Sequence, residues 1–299
     1  MKGSLDSLSK PIQLLLVMMW VAFFGGLSFI SIIMVIQSGG DLETSLGNDF
    51  LDKLSQAGGQ VILLLLPAVI MVYLFSKSPQ KYLKLTQLPK ASVVLVGILM
   101  LFAFLPFVAQ SMEWNKAIPL PDSIADAVAE SEIQMAKMYE SFLATKGFGT
   151  MLLNLIIIAF FPAICEEFLF RGVLQNAFMK AVGSHWKHIA IVLTSLIFSV
   201  VHVQFSGMLP RFFLGLLLGY SYYFSKNLLV PIILHFVNNG SIVVLTYLYS
   251  NKLVDIDPQS TDSLPITGTI AATAVFIVLG YLFIRLTKKD FKLDGSQLG

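Results

Sequence analysis

Charge is scarce in this chain. Asp, Glu, Lys and Arg make up 13% of its 299 residues, against 56% hydrophobic residues, and the mean hydropathy is +0.78. One soluble core cannot hide that much apolar surface, so lipid must form part of the solvent. Cysteine is nearly missing too: Cys165 stands alone, which excludes an internal disulfide. Its place inside an apolar run marks a packing residue rather than part of a metal-spaced cluster. No basic tract occurs, because the net charge of +2 is spread over loops, so nucleic acid is excluded as a partner. Aspartate is absent from every long apolar run, which argues against a site built on paired aspartates.

What is present is a series of apolar runs at 11–37, 60–76, 91–111, 149–180, 188–204, 209–225, 228–249 and 266–287. Each is near or above the ~20 residues that a helix needs to cross the hydrocarbon. The fold class expected is all-α: a polytopic transmembrane bundle of about eight spans, forming one integral-membrane domain over 1–299. The first run, Ile12 to Ile36, is too long for a signal-peptide core and reads as a retained span. Lys and Arg gather on one side, at Lys2 and Lys10, at Lys77, Lys81, Lys84 and Lys90, at Lys180 and Lys187, at Lys226, and at Lys288, Lys289 and Lys292. The other side receives Asp41, Glu43, Asp49 and Asp52, the long 112–148 segment, and Asp255, Asp257 and Asp262. By the positive-inside rule both termini are expected in the cytoplasm, in a bacterial inner membrane. Within 112–148, after Pro119, Pro121 and a capping Asp122, the residues Ile124, Val128, Met135, Met138 and Phe142 approximate one helical face. The expectation is an amphipathic helix lying on the outer membrane surface, favoured over a lid that gates substrate.

Runs one, two, three and eight carry no ionisable group in their central stretches, whereas runs four, five and seven hold Glu166, Glu167, Arg171, His202 and His235. A charge at mid-bilayer costs at least ~2.5 kcal/mol on insertion scales, so these groups should face one another or water. Glu167 and Arg171 are four apart with the acid first, the favourable order for an ion pair on one helix face. Glu166 is rotated by about 100° from Glu167, leaving it free to work while Glu167 is held. His235 and Asn239 share a face of run seven, and Phe198 stands one turn before His202. Pro162, one turn before the glutamates, removes a backbone hydrogen bond and should bend or loosen run four. Asn154, Asn176 and Asn238 read as packing or hydrogen-bonding singletons, and Arg211, after Pro210, as a side chain that snorkels to the surface.

Such a set supports two chemistries. Glu166 can deprotonate a water oriented by His202 and return the proton to a leaving amine, with His235 and Asn239 donating to the developing oxyanion. Alternatively Glu166, His202 and His235 can bind a divalent metal such as zinc and acidify its bound water. No His-Glu-x-x-His occurs, and Ser221, in Gly219-Tyr220-Ser221-Tyr222, lacks the glycine of a nucleophile elbow. Two further classes stay open: a proton-coupled transporter, though no second copy of the glutamate motif marks an inverted repeat, and a non-catalytic membrane scaffold or immunity protein.

In three motifs the sequence resembles the CPBP family of type II CAAX prenyl endopeptidases and bacteriocin-processing or self-immunity proteins. They are Glu166-Glu167-Phe168-Leu169-Phe170-Arg171, Phe198-Ser199-Val200-Val201-His202 and His235-Phe236-Val237-Asn238-Asn239. The resemblance covers about 150–245, the expected catalytic core. It implies an eight-helix intramembrane peptidase in which Glu166 and His202 activate water, and His235 and Asn239 stabilise the oxyanion. Glu167 and Arg171 support them. No cofactor is certain: a divalent metal is one option, and a metal-free site is slightly favoured. The expected partners are membrane lipid and a peptide or protein substrate, with a lipidated C-terminus as one form. One spacing is awkward, because His202 lies near the far end of its run and His235 near the start of its own. That is a depth difference of about 12 Å at 1.5 Å per residue.

Overall fold

The structure, a computed structural model, describes residues 2–37, 49–143, 147–257 and 264–294. Among them the long helices are α1 (Lys10–Gln37), α2 (49–75), α3 (Ala91–Lys116), α4 (Asp122–Leu143), α5 (Phe148–Val182), α6 (Lys187–Val200), α7 (Met208–Ser225), α8 (Leu229–Ser250) and α9 (Ile266–Asp294). Helix is the only regular structure the lipid interior allows an open chain, since every backbone polar group must be satisfied within its own segment. Six of these helices, α1, α2, α3, α5, α8 and α9, are long and apolar enough to cross a membrane. The two other apolar runs form α6, of 14 residues, and α7, of 18. The protein is an integral membrane protein with a helical bundle fold. Asp41, Glu43 and Asp262 of the acidic loops lie outside the described residues.

α5 is the centre of the bundle, in contact with α1, α2, α6, α7 and α8, while α3 joins α9 to α7 and α8. Two apolar cores result. Val17, Val72, Phe75, Leu169, Phe170 and Leu228 pack around α5, and Leu101, Phe104, Leu218, Leu234 and Phe283 pack around α3. On the outside, Leu15, Met19, Phe23, Leu95, Phe102, Ile277 and Val278 are exposed, as a surface solvated by lipid tails demands.

Because lipid tails are as apolar as leucine, helices here associate through close backbone approach and polar contacts. Gly215 of α7 lies against Ser195 of α6, where an added Cβ would stand 3.1 Å from the Ser195 Cβ. At Gly219 an added Cβ would stand 2.8 Å from the Ile191 side chain, and the Gly219 carbonyl accepts a hydrogen bond from Gln175 of α5 at 3.0 Å. These glycines let α6 and α7 press together behind the polar residues of α5.

Two prolines leave matching marks. Pro67 and Pro162 each follow a π-helical stretch, Val61–Leu65 and Leu155–Phe160. In each, the last bond reaches five residues back, from Leu66 N–H to Val61 and from Phe161 N–H to Ile156. A proline has no N–H for the carbonyl four residues earlier, here Leu63 and Ile158. In both cases a neighbouring helix supplies the donor: Trp20 Nε1 to Leu63 at 3.0 Å and Asn239 Nδ2 to Ile158 at 3.4 Å. The loosening expected at Pro162 thus takes the form of a π segment, re-satisfied from α8.

The α6–α7 contact makes a testable demand. Gly215→Val should destabilise the folded state by about 1–3 kcal/mol in detergent unfolding, the usual cost of overpacking. Gly26→Ala, where nothing lies within 4 Å of an added Cβ, should leave stability unchanged or slightly raised.

Candidate active site

Three helices bring the charged residues together. Glu166 and Glu167 end the ordinary α-helical turn Phe161–Glu167 of α5, and Arg171 lies in the π-helical stretch Phe168–Gln175 that follows. π-bulges of this kind recur at functional sites because the extra residue re-aims side chains. Glu167 and Arg171 are both fully buried, and Arg171 Nη1 donates to Glu167 Oε1 at 2.6 Å. Arg171 Nη2 also donates to the Gly215 carbonyl at 3.1 Å, and its guanidinium covers the Phe198 ring at 4.6 Å. The ion pair read from spacing is present, with a further partner on α8: His235 Nδ1 lies 2.8 Å from the same Glu167 oxygen.

Those partners fix the imidazoles. A carboxylate only accepts, so His235 carries its proton on Nδ1, and in the neutral ring Nε2 holds the lone pair. His202 follows the same logic, with Nδ1 2.6 Å from the Phe198 carbonyl. The two Nε2 atoms then turn to one point, each 3.9 Å from Glu166 Oε2. That is too long for a direct hydrogen bond and suits a bridging water. Phe198 packs between the parts, its ring centroid 5.0 Å from His202 and 6.1 Å from His235.

The depth difference between the histidines is accommodated by the end of α6. The helix stops at Val200, and His202 stands in the turn beyond it. Its ring folds back one turn onto the Phe198 carbonyl, toward Glu166 and His235. Asn239 is placed differently from these. Its amide spans Ile158 at 3.4 Å and Asn238, which donates to Asn239 Oδ1 at 3.0 Å, one turn along α8 from His235.

The donor set of one carboxylate and two imidazoles is of the type that holds zinc. Bonds of 2.0–2.1 Å in a tetrahedral site would set ligand atoms about 3.4 Å apart, closer than the 3.9 Å found. Among the described residues no three His, Cys, Asp or Glu side chains form a group that could hold a metal ion. The residues as placed do not fit a metal.

Sequence reading missed the groups around the His202 turn. Arg211 does not simply reach for the surface. It donates to the Gln204 carbonyl at 3.4 Å and to the Gln204 side-chain oxygen, and it lies within electrostatic range of Glu166 and His202. Glu132 of α4 also reaches this turn, where it accepts from Ser206. One signal was available: Glu132 sits four residues after Val128 and three before Met135, an acid on the apolar face of its helix.

Because Glu167 depends on Arg171 for its countercharge, Arg171→Met should destabilise the protein by about 3–5 kcal/mol, the cost of leaving a buried charge unpaired. Adding Glu167→Gln to it should recover much of that loss in detergent unfolding.

Part of the chain is similar to known proteins. Residues 148–241 match the family described as Type II CAAX prenyl endopeptidase Rce1-like. The chain is 30% identical over 100 residues to the membrane-embedded CAAX protease MroQ of Staphylococcus aureus (strain USA300), covering 32% of this chain and 40% of that protein. It is 30% identical over 125 residues to an uncharacterized 24.3 kDa protein of Escherichia coli, covering 40% and 51%. Against the uncharacterized protein YpbD of Bacillus subtilis (strain 168) it is 33% identical over 88 residues, covering 28% and 41%. The chain thus spans about half or less of the length of these relatives, and no solved structure matches it. The stretch 148–241, which holds all six candidate site residues, is similar to the Rce1-like family.

Proposed function

We propose that this protein is an intramembrane endopeptidase that hydrolyses a peptide bond with a water activated by Glu166. The observation that carries the reading is the convergence of Glu166 Oε2 with two imidazole Nε2 atoms at 3.9 Å each. Both rings have their other nitrogen committed. Glu166 and the neutral His202 are two acceptors facing one gap, and a water brings the two O–H donors they call for.

The step follows from those roles. A water in the gap gives one proton to Glu166 while His202 Nε2 accepts its other O–H and aims the oxygen lone pair at the scissile carbonyl. The new C–O bond forms a tetrahedral intermediate with charge on the former carbonyl oxygen. His235, protonated on both ring nitrogens from the outset with Nδ1 on the Glu167 carboxylate, donates from Nε2 to that oxyanion and keeps its proton throughout. Glu166 then returns its proton to the amine nitrogen as the C–N bond breaks, so one water is consumed and one acid and one amine are released. Asn239 joins the oxyanion site with the amide hydrogen not given to Ile158, and through Ile158 it fixes α8 against α5.

The substrate is a peptide or protein segment that reaches the site from within or beside the bilayer. A prenylated C-terminus is one form that the matched family's description, CAAX prenyl endopeptidase, supports. Eight spans with both termini in the cytoplasm, in a plasma membrane, remain the topology supported by the Lys bias.

Purified protein in detergent should cleave quenched-fluorescent peptides, prenylated or plain, and Glu166→Gln should lower the rate by about 10²-fold or more. Equal cleavage by Glu166→Gln would overturn the reading and favour the scaffold. Chelator treatment should leave the rate unchanged, whereas loss restored by zinc would replace the metal-free step with a metal-bound water.

A further inference from the structure

α4 is not simply adsorbed at the membrane surface. Glu132 accepts three hydrogen bonds from the turn between α6 and α7: from Ser206 N–H at 2.8 Å, from Ser206 Oγ at 2.5 Å and from Gln204 Nε2 at 3.4 Å. The same turn is held from α3, where Asn115 Nδ2 donates to the Phe205 carbonyl at 2.7 Å and Asn115 Oδ1 accepts from Leu209 N–H at 2.9 Å. From α7, Arg211 donates to Gln204.

His202 stands at the start of this turn, two residues before Gln204. Next to it Val203 has φ +51°, a left-handed conformation that is unfavourable for a β-branched residue. Such strain, of about 1–3 kcal/mol, persists only where the surroundings over-determine the chain path. The ring of His202 has its own anchor on Phe198, but the path of the backbone beyond it is set from outside by Glu132, Asn115 and Arg211. Glu132 is the charged acceptor among them, and it ties the turn to a helix 74 residues back along the chain.

We propose that Glu132 is a positioning residue for His202: α4, through this carboxylate, holds the turn that presents the imidazole to Glu166. The proposal rests on the hydrolytic role of Glu166 and His202 given above. It makes the long 112–148 segment part of the active-site framework, even though α4 contributes no reacting group. It also gives a partner to an acid that lies beside Val128 and Met135 on the same side of α4.

The test is a double-mutant cycle on a peptide that the wild type cuts. Glu132→Ala should lower kcat roughly 10- to 100-fold with KM within about twofold, since a displacement of about 1 Å in a catalytic group costs that much. In a His202→Ala background the same change should lower kcat by less than about twofold, because the residue being positioned is gone. A contact that merely stabilises the fold would instead lower the unfolding temperature and cost the same factor in both backgrounds. Ser206→Ala removes one of the three donors and keeps the backbone one, so it should give a smaller loss with the same dependence on His202. It also carries the test should Glu132→Ala fail to fold. Unchanged kcat in Glu132→Ala and Ser206→Ala, with Glu166→Gln inactive, would overturn the positioning role alone. Unchanged cleavage by Glu166→Gln would overturn the hydrolytic reading on which it rests.

Discussion

The site depends on one oxygen. Glu167 Oε1 takes hydrogen bonds from both Arg171 and His235, whereas among the described residues Glu167 Oε2 and Arg171 Nε have no hydrogen-bond partner. Two charges buried to 0% exposure are tolerated only because they sit in contact, since each alone would cost several kcal/mol to desolvate. Their pairing does more than cancel charge. It fixes the position of Glu167, which fixes the tautomer and direction of His235, and it lays the Arg171 guanidinium across the Phe198 ring that also borders His202. An ion pair within one helix thereby sets the orientation of side chains on two others.

Around that pair the helix itself is irregular, and the irregularity is managed rather than random. The π segment before Pro162 and the one that carries Arg171 flank a single α-helical stretch of seven residues ending in the two glutamates. Asn239 repairs the carbonyl that Pro162 cannot reach and so ties α8 to α5 one turn from His235. This gives the third motif a double physical rationale. Its histidine faces the two glutamates, and its asparagine ties α8 to α5 through the Ile158 carbonyl.

Much of this was legible in the sequence, because lipid makes the rules strict. Apolar runs had to be helices, and the few charges among them had to meet. The four-residue spacings predicted the Glu167–Arg171 pair and the contact between Phe198 and His202. The distinction between a free Glu166 and a held Glu167 followed from a 100° rotation. What could not be read was any contact whose partners lie far apart along the chain. That His235 binds Glu167, and that its proton therefore sits on Nδ1, depends on how α8 packs on α5. Arg211 was read as a surface side chain because the turn it holds is visible only once α6 is seen to stop at Val200. Met138 and Phe142, expected on the apolar face of α4, lie at positions whose side chains are outside the described residues, so that face is seen only in part, through Ile124, Val128 and Met135.

The way into the site follows from the exposure of its members. His235 is 3% exposed, Glu166 13% and His202 27%, so access increases toward the turn after α6 and closes toward α8. The turn at that end carries Gln204 and Ser206, with Glu132 and Arg211 bonded to it, all polar, whereas Phe198 and the buried ion pair lie on the inner side. Polar groups at such a turn are satisfied by water and not by lipid tails. With the Lys-rich loops in the cytoplasm, as proposed, this turn and α4 would lie on the far side of the membrane from them. Under the proposed hydrolysis, water would enter beside α4, at the end of the site where the His202 imidazole is most exposed.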